Sequence, residues 1–515
     1  MTDFPWLTTI GAVPLLGSVV VAALPRRAEQ LAKLVTLAVT LGVLALVIGL
    51  SLAFTPGGGF QFTESVAWIP SFGARYQLGV DGVALALLAL VAVLLPVVVL
   101  ASWHEAEGGA RPVRTFFALL LALEATLVGV FAATDVLLFY VFFEAMLVPM
   151  YFLIGSYGGP RRSYAAVKFF IYSLLGGLLM LAAVIGLYVV SADLLGEGTF
   201  DLQALRRLEI EPATQRWLFL GFFIAFAIKA PLFPFHTWLP DAGAEAPTGA
   251  AVLLVGVLDK VGTFGFLRFC IPLFPEASDF FAPAVLVLSI IGILYGALLA
   301  MGQTDLKRLV AYTSVAHFGF ITLGIFAFTS QGGAGAVLYM VNHGLATGAL
   351  FLIVGIMVAR RGTRQIGAYS GVAKVAPLLA GSFLLAGLAS LALPGTAPFV
   401  SEFLVLLGTF RAVPVAAVVA TLGIILAAMY ILIAYQRTMT GPLRAGLEGF
   451  RDLSGREAAF LSPVLVLILV LGFYPAPLLD VITPDVVATY DEAGFADPPA
   501  TGPATALPTA DGSSR

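Results

Sequence analysis

Apolar residues run along this chain in stretches of about 20, separated by short polar or Pro/Gly-rich breaks. That is the length of a helix crossing the hydrocarbon core of a bilayer. The pattern predicts about fourteen spans by that criterion. Their cores lie near 5–24, 31–54, 78–101, 113–133, 135–156, 165–191, 216–238, 247–271, 280–301, 306–329, 333–359, 375–411, 414–436 and 458–480; they are numbered one to fourteen below. The interval 55–77 departs from the rhythm: GGG followed by the alternating QFTESVAW predicts a short extramembrane hairpin. The segment 483–515, rich in Pro, Ala and Thr, is expected to be a disordered polar tail. The start, MTDFPWLTTIGAVPLLG, has Asp3 where a signal peptide has basic residues, so it reads as a retained first helix.

Two spans are interrupted. Span seven breaks at IKAPLFPFHTWLP, with Pro231 and Pro234 directly after Lys229; span twelve breaks at LALPGTAPFVSEF, with Pro394, Gly395 and Pro398. Proline removes a backbone donor and frees a carbonyl, and in lipid such groups need protein or water around them. A single break would be an ordinary packing kink. These two lie five spans apart, an odd number, so two five-span units, 112–274 and 280–440, would face opposite sides of the membrane. Interrupted segments at matching positions in two halves point to a transport site. The expected architecture is therefore an all-α polytopic membrane protein with two inverted five-helix repeats. It is preceded by three helices and the hairpin (1–111) and followed by a loop and last helix (441–482).

Composition agrees. The chain is 60% hydrophobic and 11% charged, with a mean hydropathy of +1.00, far from the roughly one quarter charged of soluble domains. The net charge of −3 says nothing about a nucleic-acid partner and no basic stripe suggests one, so none is expected; one cysteine, Cys270, cannot build a disulfide or a cysteine-ligated iron–sulfur cluster within the chain. No metal site is expected. Counting Lys and Arg alone, 18 of the 27 fall in alternate connections if the N-terminus is outside, against six on the other side. By the positive-inside rule both termini are expected outside.

The remaining chemistry is ionisable groups inside the apolar spans: Glu124, Glu144, Lys229, His236, Lys260, His317, His343 and Glu402. Each charge at the bilayer centre costs roughly 2.5–3.5 kcal/mol on insertion scales, so these groups are expected to face one another in the bundle interior. The chain has six lysines and 21 arginines, yet two lysines lie at membrane depth. A site that gives up protons can use lysine and cannot use arginine. The expected relay is Glu144, Lys229, Lys260, His317, His343 and Glu402, with Glu144 as the electrostatic partner of Lys229. His317 follows Thr313 and Ser314 on a polar face, and His343 follows Asn342 among small residues. Glu124, His236 and Asp259 are possible accessories. Glu124 could instead pair with a polar neighbour, and His236 could be a helix-terminal cap. Asp259 precedes Lys260 but points about 100° away on a regular helix.

FYVFFEAMLVPMYFLIG around Glu144, IKAPLFPFHTWLPDAGAEAPT, DKVGTFGFLRF around Lys260, and VNHGLATGALF together resemble the antiporter-like subunits of respiratory complex I, over roughly residues 80–440. The resemblance implies proton translocation driven by NADH:quinone electron transfer in other subunits, in a bacterial plasma membrane. It implies no cofactor in this chain, with NADH, FMN, iron–sulfur clusters and quinone in partner subunits. Glu402 stands in the broken twelfth span where L-type and antiporter chains usually carry lysine. With no long lateral helix expected after span fourteen, this resembles the M-type branch, with L- and N-type chains as expected neighbours. Family members often have a histidine where this chain has Gly243, so that residue's role cannot be carried over. Two alternatives stand beside this reading: a subunit of a multisubunit sodium/proton antiporter or membrane-bound hydrogenase, and a non-pumping spacer.

Overall fold

The computed structural model describes residues 4–107 and 111–499. Twelve helices among them are long and apolar enough to cross a membrane. They are Trp6–Ala23, Glu29–Ala53, Gly82–Ala101, Val113–Ala132, Val136–Tyr157 and Arg162–Leu195 (spans one to six), then Thr248–Leu273, Pro275–Met301, Leu306–Phe326 and Ser330–Arg361 (eight to eleven), and Pro414–Met439 and Gly455–Phe473 (thirteen and fourteen). The two predicted spans absent from that set are the interrupted ones. Span seven is a helix Pro212–Lys229 followed by a short turn of helix Phe235–Trp238; span twelve is Pro377–Ser390 and Ala397–Ala412.

Burial sorts the helices by position. Spans eight, ten and eleven are buried along nearly their whole length and form the centre of the bundle. Spans two, six and thirteen present exposed apolar side chains such as Leu52, Ile171 and Val415, as helices facing acyl chains do. Small residues let the central helices touch: a Cβ on Gly344 of span eleven would come 2.6 Å from the Gly256 carbonyl of span eight.

The hairpin forms as expected, with strands β1 (Gln61–Ile69) and β2 (Ala74–Val80) paired antiparallel. The tail differs from the expectation. Residues 476–492 form a further helix, Ala476–Glu492, so disorder does not begin at 483. Tyr490 is buried and donates to the Ile325 carbonyl at 2.8 Å, and Asp485 accepts from the Gly82 backbone N–H at 2.6 Å. The Pro/Thr-rich composition concealed a helix held by tertiary contacts. The rest of the expected tail, 500–515, lies outside the described residues.

A candidate proton path

The break in span seven leaves Lys229 in the last turn of its helix, fully buried. The carbonyl of Ile228 accepts from the Trp238 indole N–H at 2.8 Å, which satisfies one group freed by the prolines. The Lys229 ammonium has no hydrogen-bond partner; it lies over the rings of Phe143 at 4.8 Å and Phe169 at 5.7 Å. Ring faces attract a cation without accepting its protons, which leaves those protons uncommitted. Glu144 is half-buried beside Phe143, and Gly177 of span six makes room for its carboxylate. No ion pair or hydrogen bond joins Glu144 to Lys229, so the expected partners are not in contact.

Span eight carries the second lysine on an irregular helix. Two π-helical turns, Leu254–Leu258 and Phe266–Cys270, flank Lys260–Gly265. Such turns free carbonyls from the regular ladder, and the Lys260 ammonium donates to the carbonyl of Val255. It also meets Asp259 Oδ1 at 3.1 Å and His343 Nδ1 at 2.7 Å. The regular-helix estimate of Asp259 pointing away fails here because the helix around it is not regular. All three groups are buried.

From His343 a run of side chains leads to the second break. The His343 and His317 ring centroids are 5.2 Å apart. His317 Nδ1 lies 2.7 Å from the Tyr339 hydroxyl, and that hydroxyl donates to Glu402 Oε2 at 2.6 Å. Since Tyr339 spends its proton on Glu402, its oxygen accepts from the Nδ1–H of His317. His317 Nε2 lies 3.3 Å from Ser390 Oγ. Ser390 ends the first half of span twelve. Asn342 holds the other half by donating to the Ala397 carbonyl at 2.7 Å and Ser401 Oγ at 3.2 Å, and Gly395 supplies the positive φ of +92° in the turn.

The structure therefore brings Asp259, Lys260, His343, His317 and Glu402 into one buried cluster, with Tyr339 and Ser390 added. Lys229 stands apart from it in hydrogen bonding, although its helix is close: a Cβ on Gly262 would lie 2.5 Å from the Ala230 nitrogen. His236 is packed against Phe233 and Tyr295 and joins no relay contact. Glu124 is fully buried with both carboxylate oxygens unpartnered, so it does not pair with a polar neighbour. Thr313 and Ser314 bond back to the Val310 carbonyl of their own helix and not to His317. A Cβ at Gly243 would sit in ordinary van der Waals contact, 3.4–3.9 Å, with Ala311, Phe351 and Val255.

Charge is paired at both ends of the bundle. At one, Asp241 bonds Lys168 at 2.8 Å and Arg308 at 2.5 Å, while Glu245 and Asp305 each bond Arg364 at 2.6 Å. Burial pushes the Asp241 carboxyl up, but the hydrogen bonds from Lys168 and Arg308 outweigh it and hold the group below its ordinary value. At the other end Arg268 bonds Asp81 at 2.7 Å and covers Phe60 and Phe264.

The sequence matches the family described as NADH:quinone oxidoreductase/Mrp antiporter over residues 133–430. The chain belongs to that family. Its relatives include subunit M of NADH-quinone oxidoreductase from Mycobacterium tuberculosis, 50% identical, with 97% of this chain and 96% of the relative covered. Among solved structures, a chain of respiratory complex I from Thermus thermophilus is 35% identical with a TM-score of 0.86, covering 95% of this chain and all of that one. A chain of the Mrp complex from Dietzia has the same TM-score at 23% identity, covering 95% and 98%; it shares the fold alone.

Proposed function

We propose that this chain is the M-type membrane-arm subunit of an NADH:quinone oxidoreductase and moves protons, driven by electron transfer in other subunits. The observation that carries the reading is the buried run from Asp259 and Lys260 through His343, His317 and Tyr339 to Glu402. Proton donors and acceptors alternate along it, and it ends at the break of span twelve. A structural spacer has no use for such costly groups at bilayer depth. The relatives over nearly the whole chain support the redox-driven assembly over an antiporter complex.

In this reading protons reach Lys229, pass to Lys260, and travel along the run to Glu402. Glu144 biases the proton affinity of Lys229 through space. The two imidazoles make no direct bond, so transfer between them requires a ring movement or an intervening water. Work against a potential of 150 mV is about 3.5 kcal/mol per proton, and a lysine moved between wet and apolar surroundings changes its proton affinity by more than that. The repeats 112–274 and 280–440 are inverted, giving fourteen spans with both termini outside, and L- and N-type chains flank the subunit. NADH, FMN, iron–sulfur clusters and quinone belong to partner subunits.

Lys229→Ala tests this. In vesicles holding the purified complex, NADH-driven acidification should fall while the complex stays assembled. Wild-type acidification would point to a spacer. Partners recovered from native membranes should be the NADH- and quinone-handling chains; recovery of small antiporter subunits instead would assign the chain to an antiporter complex.

A further inference from the structure

A cavity of about 400 Å³ lies away from the proton path, where the end of span eleven meets the connection into span fourteen. Arg360, Arg361, Gly446, Gly449, Phe450 and Arg451 line it. Three guanidinium groups share that wall and no carboxylate does. The nearby acids are committed elsewhere. Asp452 accepts from the Leu378 and Leu379 backbone N–H groups, both at 2.9 Å. Glu457 takes one Arg360 nitrogen at 2.6 Å and closes the capping box of span fourteen with Ser454, and Glu448 accepts from the Gly446 N–H at 2.8 Å.

Part of the basic wall is structural. Arg361 donates to the carbonyls of Gly446 at 2.6 Å and Ala445 at 3.2 Å, and Gly446 (φ +81°) leaves space for that guanidinium. Arg360 spends Nη2 on Glu457 and on the Asp452 carbonyl at 2.9 Å. Its Nη1 is buried without a partner, and Arg451 is exposed and joins no ion pair among the described residues. The Arg451 charge is left over beside an open space: nothing lies within 4 Å of a Cβ built on Gly449.

We propose that this cavity binds the phosphodiester headgroup of an anionic membrane lipid. Paired guanidinium groups suit phosphate oxygens. The depth is that of headgroups, because span eleven ends at Arg361 and span fourteen starts at Gly455, close beside the lining residues. Leu378, 65% exposed and held next to the site by Asp452, offers acyl chains an apolar surface at once. A free phosphate would share the arginines and have no use for that leucine. Basic pockets between helix ends are a recurring form of lipid recognition.

The test uses the purified complex in nanodiscs of equal parts phosphatidylcholine and phosphatidylglycerol, with retained lipid read by native mass spectrometry. Wild type should retain phosphatidylglycerol in preference, and excess inorganic phosphate should not displace it. Arg451→Gln should lower that retention about fivefold, the roughly 1 kcal/mol that one arginine near an anionic surface is worth. Gly449→Glu, which adds a carboxylate in open space, should lower it further. Equal retention of the two lipids, unchanged retention in Arg451→Gln, or displacement by inorganic phosphate would overturn the proposal. Arg451→Gln alone decides the matter if Gly449→Glu fails to assemble.

Discussion

Lys260 bonds three groups at once: the Val255 carbonyl, Asp259 and His343. Arginine at this position keeps the charge and cannot release a proton. Lys260→Arg should therefore leave the complex assembled and abolish this subunit's share of NADH-driven acidification in vesicles; wild-type acidification would remove Lys260 from the path. The charged members of the cluster were legible in the sequence because charge inside an apolar run is costly enough to stand out. Tyr339 and Ser390 were not. A tyrosine or serine in a membrane helix is ordinary, and only their contacts with His317 and Glu402 single them out. One signal was available: Tyr339 lies four residues before His343, on the same helix face. The accessory candidates are instructive too. His236 and Glu124 carry the same sequence signal as the cluster members, and nothing local says that they point elsewhere.

Among elements, the interrupted helices were predictable because proline and glycine act locally, while the π-helical turns of span eight and the helix Ala476–Glu492 depend on packing that no short window records. Close approach of spans seven and eight depends on Gly262. A Cβ there would meet Ala230 at 2.5 Å to its nitrogen and 2.7 Å to its Cβ, and both are part of a tightly packed interior. Gly262→Ala should destabilise the subunit by about 1–3 kcal/mol, as overpacking does, read as a lower thermal midpoint of the purified complex; an unchanged midpoint would show that the helices have room to part. The last helix gives a pH-dependent prediction. Asp485 shares one pocket with Asp81, Arg206, Arg207 and Glu492, and Arg268, which bonds Asp81, lies close enough to act on its charge. Burial, with the charge of Asp81 adding to it, pushes its carboxyl up to about 6. The docked helix thus holds this proton more tightly than the free chain. The contribution to docking is fully present below the ordinary carboxyl range and is lost as pH rises through about 6. Hydrogen exchange across Ala476–Glu492, corrected for its intrinsic pH dependence, should show more protection at low pH than at neutral pH, and Asp485→Asn should flatten that difference. Equal protection in wild type at both would contradict it.

For the whole molecule, hydrophobic length decided nearly everything about the fold: each predicted span has a helical counterpart, and the two that fall short of a continuous crossing are the two broken by proline. What length could not give is the division of the buried groups. The sequence suggested one row from Glu144 to Glu402, whereas the structure holds two hydrogen-bonded groups that meet at the neighbouring rings of His343 and His317, on spans eight, ten, eleven and twelve, with Lys229 separate among aromatic rings. That division makes Tyr339 the narrowest point of the proposed path, since among the described residues it alone hydrogen-bonds both His317 and Glu402. The decisive measurement is the number of protons moved per NADH oxidised by vesicles carrying Tyr339→Phe, which deletes one hydroxyl and keeps the ring. A hydrogen bond to a charged group is worth roughly 1.5–3 kcal/mol, so proton delivery along this run should slow at least about tenfold and the ratio should drop with assembly intact. An unchanged ratio would mean that protons do not take this route.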